Sequence, residues 1–468
     1  MSKKEVSPFH LFEYRGHPYL LNIEKMAAHP VSTELLPILH RVREPQTRLP
    51  AAQEEILRSW DLIRECEEKD TPVAQIEPME PIPITYMYLF LTQSCNLRCI
   101  YCYGDGGNYG TGGSMDISTA RQAVDWLIGK AGKMKKIYLG FFGGEPFINF
   151  PLMKATVAYA SRKAQEAHKE VEFFVTTNAT LLDEEKIAFI QEHRLSVQIS
   201  FDGPKEIQDA QRPYANGQGS YDSIVPKIKK LLALAPKVSG HAVLWGDTDP
   251  QLVKATLQDL GLTSLSLSPA SHSLFPAESE KKQSIRKTQR QLRTLEQEAE
   301  DWSHHIRDRG QDTLRSLKAS NGGYGIYSGI LALLHHRHKY HFCGVGRKMV
   351  GVSVTGDIYP CHRFVGNEAY KLGHVSEEAF NRADYLQSSL YSQANCASCF
   401  ARYYCAGGCL HDHLSSSGSP DVPAEEICRL RRRELELAAV IVANLSPDDQ
   451  AFLINEHIIP PQPCPLDF

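Results

Sequence analysis

No stretch of this sequence stays apolar for the roughly 20 residues that a membrane-spanning helix needs. The opening MSKKEVSPFHLFEYRG has two lysines but no apolar run and no small-residue cleavage site behind them, so no secretory signal is expected. An excess of one charge is missing too. A formal net charge of -4 supplies no electrostatic reason for a nucleic-acid or anionic-membrane partner. These absences predict a cytoplasmic protein with no nucleic acid and no membrane among its partners. The composition of a disordered chain is also lacking, because 42% of residues are hydrophobic and 23% charged. At 468 residues the chain exceeds the roughly 250 to 300 at which single cores stop growing, so two or three domains are expected.

Cysteine, by contrast, is abundant. Twelve cysteines in a reducing compartment are better explained as ligands or catalysts than as disulfides. Cys95, Cys99 and Cys102 form one group and seven more fall between 343 and 428, which leaves Cys66 and Cys464 as buried or idle thiols.

The chain divides by pattern. Residues 1–75 read as a small α+β module, with strand patterning in FHLFEYRG and HPYLLNIEKM and helical spacing in TELLPILHRV and AAQEEILRSWDLIREC. A proline-rich linker, TPVAQIEPMEPIPI, follows. Across 84–275, the candidate strands ITYMYLFLT, KIYLGFF, VEFFVTT, LSVQISF, KVSGHAVLW and SLSLSP alternate with helices near 117–132, 151–168, 183–193, 220–235 and 250–260. That alternation predicts a parallel sheet with ligands at the carboxyl ends of its strands. Residues 276–341 read as bridging helices ending in a histidine run, His335, His336, His338 and His341, that suits a solvated helix end better than a metal site. Residues 342–430 are Gly- and Cys-rich with a hairpin pattern at MVGVSV and DIYPC, and 431–468 hold a helix and tail.

Cys95, Cys99 and Cys102 follow the first of these strands and precede the loop GDGGNYGTGG. Three thiolates without a local fourth suit an incompletely ligated iron–sulfur cluster, whereas structural zinc more often shows paired CxxC spacing. This CxxxCxxC cradle resembles the radical S-adenosylmethionine (SAM) superfamily, whose open iron chelates SAM. Tyr101, before the third cysteine, matches the family's adenine-facing aromatic residue. Gly143, Gly144 and Glu145, followed by Pro146, resemble the GGEP motif that receives the methionine ammonium. Asn178 lies in TTNAT, which resembles the family's TNG segment with Ala179 in place of glycine. By the same resemblance, Ser200 and Arg212 are candidates for the cofactor carboxylate. Asp202 is a candidate acid–base group, although Asp before Gly is also an ordinary turn former.

The later cysteines run Cys343, twelve residues, Gly356, four residues, Cys361, then Cys396-x2-Cys399-x5-Cys405-x3-Cys409 and Cys428. Zinc sites are one reading of such thiolates. The pattern resembles the SPASM domain, which holds two auxiliary clusters. The resemblance assigns Cys396, Cys399, Cys405 and Cys428 to the outer cluster and Cys343, Cys361 and Cys409 to an inner one that is a ligand short. His362, in CHRFVGNE, stands where anaerobic sulfatase maturases place an Asp, and is a second candidate catalytic residue. With CASCFARYYCAGGC, it makes the chain resemble the maturation proteins of quinohemoprotein amine dehydrogenase, which form thioethers. The expected α/β fold is therefore a partial (β/α)6 radical SAM barrel flanked by a peptide-recognition-like N-terminal module and a Cys-rich SPASM domain. Its expected cofactors are SAM and three [4Fe-4S] clusters. Its expected partners are a small Cys-containing peptide or protein with a leader segment and an external electron donor. Other SPASM maturases and a noncatalytic peptide-binding scaffold are the alternatives.

Overall fold

The computed structural model describes residues 3–42, 50–66, 82–235, 237–270, 278–319 and 325–461. The N-terminal part comprises β1 (Lys3–Val6), β2 (Phe9–Tyr14), β3 (His17–Asn22), β4 (Ala27–Pro30), α1 (Leu36–Arg41), α2 (Ala51–Ser59) and β5 (Ile63–Cys66). Strands β2, β3 and β4 form an antiparallel sheet, and β1 pairs with β5. The helix expected through Cys66 therefore ends at Ser59. Asp61 takes a left-handed φ of 53°, which turns the chain into a strand.

The central part alternates β6 (Tyr86–Thr92), α3 (Ile117–Lys130), β7 (Lys136–Gly143), α4 (Phe150–Glu166), β8 (Glu170–Thr177), α5 (Glu184–Glu192), β9 (Ser196–Ser200), α6 (Lys205–Gln211), α7 (Tyr221–Leu234), β10 (Val238–Leu244), α8 (Pro250–Asp259) and β11 (Ser264–Pro269). All six strands are parallel and lie in chain order across one sheet. Three crossover helices start on an aspartate whose carboxylate accepts a backbone N–H: Asp116 from Thr119, Asp183 from Lys186 and Asp249 from Gln251. Such caps are worth about 1 kcal/mol each and fix where the strand-end loops stop. Between sheet and helices lies the main core, to which Leu89, Phe141, Val197 and Ala242 contribute from strands and Val124, Val157, Ile190 and Ile228 from helices.

Helices α9 (Glu278–Arg307), α10 (Gln311–Ala319) and α11 (Ile326–Leu334) lead to β12 (Met349–Val352), β13 (Asp357–Tyr359) and β14 (Gly373–His374). The expected hairpin is β12 with β13, but it does not stand apart. Strand β12 pairs parallel with β6, Met349 opposite Tyr86, so the Cys-rich region extends the sheet to nine strands. The rest is helical: α12 (Ala383–Gln387), α13 (Arg402–Cys405), α14 (Leu410–Ser417), α15 (Glu425–Ala443) and α16 (Pro447–Asn455).

A second core joins the ends of the chain. Leu21 and Met26 pack with Trp302, Ile330, Leu437 and Ala438, while Leu20, on the opposite face of β3, packs with Leu39 and Leu57 inside the N-terminal module. His336 Nδ1 and His338 Nε2 bond the carbonyls of Lys25 and Glu24, both at 2.9 Å, so these two members of the histidine run clamp the β3–β4 turn. Among the described residues no single helix is long and apolar enough to cross a membrane; α15 and α16 pass such a test only together, bent by 110°.

Candidate active site at the strand ends

Two backbone segments meet where β6 and β7 end. The parallel register slips between Phe90 and Thr92, setting Thr92 opposite Gly143. Gly144 N donates to Thr92 O at 3.0 Å and Glu145 N to Ser94 O at 2.9 Å, locking the GGEP turn beneath the cysteine loop. Glycine is required there by contact as well as conformation. A Cβ on Gly143, at φ 127°, would lie 2.2 Å from Thr92 O, and one on Gly144 would lie 2.0 Å from Ser94 O. Gly107 folds back onto Cys95, where a Cβ would sit 2.6 Å from the cysteine's own.

The thiols of Cys95, Cys99 and Cys102 act on one another electrostatically. Burial pushes Cys95 up to about 12 and raises Cys99. Donors nevertheless face the sulfurs. Leu97 N lies 3.4 Å and Asn178 Nδ2 3.7 Å from Cys95 Sγ, and Arg212 Nη1 lies 3.8 Å from Cys99 Sγ.

Beside them, Glu145 is buried, and burial raises its carboxyl to about 7 against three donors that oppose the shift: Asn178 N at 2.8 Å, Thr177 Oγ1 at 2.8 Å and Phe147 N at 3.2 Å. Ala179 follows Asn178 at φ 63°, so the backbone here takes the conformation that glycine adopts freely. A single cavity of about 600 Å³ is lined by Cys95, Cys99, Cys102, Glu145, Thr177 and Asn178 together with Tyr101, Ser200 and Arg212, and also by His362, Arg363 and Cys409.

Asp202 stands behind the groups that line the cavity. Its carboxylate is buried and does not line the cavity. One oxygen accepts Val243 N at 2.9 Å; the other accepts the Tyr101 hydroxyl and pairs with Arg212 Nε at 3.1 Å. Both oxygens of Asp202 are thus engaged by Val243, Tyr101 and Arg212.

The later cysteines fall into two further sets. Cys343, Cys361 and Cys409 act on one another, and burial raises all three thiols, Cys361 to about 12. Arg363 donates to Cys409 Sγ at 3.3 Å and pairs with Asp412 at 2.7 Å. Cys396, Cys399, Cys405 and Cys428 form the other set, with Cys396 pushed up to about 11 and Cys405 to about 12 by burial. His362 packs 4.3 Å from the Tyr88 ring and 4.8 Å from Phe142; desolvation pulls it down to about 3, and its Nδ1 has no hydrogen bond. Among the described residues no three His, Cys, Asp or Glu side chains are arranged for a single metal ion. Cys66 lies on β5, where its side chain is outside the described residues, as is Cys464.

Residues 89–260 match the Radical SAM superfamily. Over 135 residues the chain is 38% identical to an uncharacterized protein of Methanocaldococcus jannaschii, covering 29% of this chain and 44% of that one, so this relative is matched over less than half its length. It is 23% identical over 344 residues to a cysteine-type anaerobic sulfatase-maturating enzyme of Clostridium novyi, covering 68% of this chain and 85% of the relative. The fold matches the solved structure of native anSMEcpe with bound AdoMet at a TM-score of 0.61 and 18% identity, over 77% of this chain and all of that one. By this likeness, the groups to set against the site are SAM and a [4Fe-4S] cluster. The residues present fit both: a trio of soft thiols with donors aimed at two of them, and a buried carboxylate beside a bare glycine turn.

Several cavity residues carry no motif. Gln198 lies two residues before Ser200 on the same face of β9, and His241, two before Val243 on β10, is pulled down to about 4 by burial. Strand periodicity could have found both. Lys254, on α8, had no such signal.

Proposed function

We propose that the chain is a radical SAM maturase that joins a cysteine sulfur to a methylene carbon of Asp or Glu within a small protein, by resemblance the small subunit of quinohemoprotein amine dehydrogenase. One observation carries the reading: a single cavity runs from Cys95, Cys99 and Cys102 to Cys409 and His362, so one bound peptide would face both thiol sets.

In this reading Cys95, Cys99 and Cys102 hold the first [4Fe-4S] cluster, Cys343, Cys361 and Cys409 a second, and Cys396, Cys399, Cys405 and Cys428 a third. With SAM bound, the first supplies a 5′-deoxyadenosyl radical that removes a hydrogen atom, and the auxiliary pair supplies an electron acceptor. Glu145 holds the methionine ammonium, and Ser200 with Arg212 holds its carboxylate. Asn178 steadies Cys95 and the GGEP turn, and Tyr101, oriented by Asp202, would contact the adenine. Closing one thioether removes a C–H and an S–H bond from the substrate, which leave as a hydrogen atom, an electron and a proton. His362 lines the same cavity and is the proton acceptor in this reading. The N-terminal sheet takes a leader segment as an added strand, and the protein works in the cytoplasm with an external electron donor.

The match to a cysteine-type anaerobic sulfatase-maturating enzyme favours a second reading, the maturation of a sulfatase. Both readings require iron. Anaerobic reconstitution should give about 12 iron atoms per chain, four for each cubane cluster. Zinc in place of iron would overturn both.

A further inference from the structure

The charges around the cavity are nearly all accounted for. Glu145 is held by Thr177, Asn178 and Phe147; Arg212 pairs with Asp202, Arg363 with Asp412 and Arg431 with Glu434. Glu298 is engaged as well. Among the described residues, the exception is Lys254. It lines the cavity half-buried and makes no hydrogen bond or ion pair. Glu298 and Asp301 on α9 act on it through space, neither within ion-pair distance, and burial dominates, lowering its pKa.

An ammonium group partly removed from water, with its carboxylates beyond ion-pair distance, is costly, and an incoming anion lowers that cost. The site is also fixed in place. Lys254 stands on the first turns of α8, whose start is capped by Asp249, and Pro250 and Gln251 of the same helix line the cavity beside it. Across from them are Thr294 and Glu298 of α9. A molecule that fills the cavity can bring a carboxylate within ion-pair distance of this lysine.

We propose that Lys254 is the specificity-determining residue for the peptide substrate, its ammonium group pairing with a side-chain carboxylate of the peptide at or beside the reacting residue. The inference rests on the acidic-substrate reading above. It adds a requirement that the cluster cysteines do not impose: an amide in place of that carboxylate leaves Lys254 unpaired.

The test uses the reconstituted holoenzyme with SAM, titrated with N-acetylglutamate N-methylamide and with its glutamine counterpart. The wild-type protein should bind the acid about tenfold more tightly than the amide, a typical return for one charge-assisted hydrogen bond. Lys254→Met and Lys254→Gln should lose that preference while melting as the wild type does, and Lys254→Arg should recover part of it. Preference retained in both neutral variants overturns the role of Lys254 and leaves the acidic-substrate reading standing. Absence of any preference in the wild type overturns both.

Discussion

Glu145 makes the site sensitive to pH in a direction that can be worked out. Burial raises its carboxyl from 4.5 to about 7, so the folded apo protein prefers the neutral form. The sign follows from proton linkage. The folded state binds more protons than the unfolded one between those values, so the contribution is present in full below 4.5 and is lost as pH rises through about 7. Between about pH 6 and about pH 8, apo stability should fall by about 1 kcal/mol from this group. SAM reverses the preference, because an ammonium against the carboxyl favours its charged form. Affinity for SAM should therefore rise from about pH 6 toward about pH 7.5, levelling where the cofactor's own amine begins to lose its proton. Glu145→Gln keeps the shape and removes the charge. A charge-assisted hydrogen bond is worth about 1.5 to 3 kcal/mol, so SAM should bind about 10- to 150-fold more weakly and the rise with pH should vanish. Equilibrium dialysis of labelled SAM against the reconstituted protein measures both. A Glu145→Gln variant that binds as tightly as the wild type, or a wild-type affinity that does not weaken at about pH 6, would refute the assignment.

Other expectations follow from the same geometry. Gly144→Ala places a methyl carbon against Ser94 O, and should lower stability by about 3 kcal/mol in thermal unfolding and displace the cysteine loop. Ala179→Gly should be tolerated to within about 1 kcal/mol, because φ is 63° there, whereas Ala179→Val should cost about 2 kcal/mol or more. Asp202→Asn breaks a buried pair and should cost about 3 kcal/mol, weakening SAM binding without moving the pH profile of deoxyadenosine formation; a shifted profile would make Asp202 an acid–base group.

The sequence reached the site because its marks there are chemical. The spacing of Cys95, Cys99 and Cys102 suited an iron–sulfur cluster better than zinc, and the six strands announced themselves by apolar runs that alternate with helical spacing. Elsewhere the marks were ambiguous. The spacing of AAQEEILRSWDLIREC continues past its helix because neither Gly nor Pro interrupts it; the break is a left-handed Asp61, which propensity does not encode. The pairing of β12 with β6 joins residues more than 250 apart along the chain, and no local pattern specifies an edge partner. Asp202 looked catalytic by its place at a strand end, and only the positions of Tyr101, Arg212 and Val243 show its carboxylate to be engaged. Lys254 is conspicuous for the partners it lacks, which a sequence cannot display.

The account turns on bond formation between sulfur and carbon in a peptide. The reconstituted enzyme, supplied with SAM, reductant and a candidate Cys-, Asp- and Glu-containing small subunit, should be followed by mass spectrometry of that peptide. The account predicts 5′-deoxyadenosine together with the loss of two hydrogens and one free thiol for each crosslink. Deoxyadenosine with loss of sulfur from the peptide, or with no change in the peptide's mass, would contradict it.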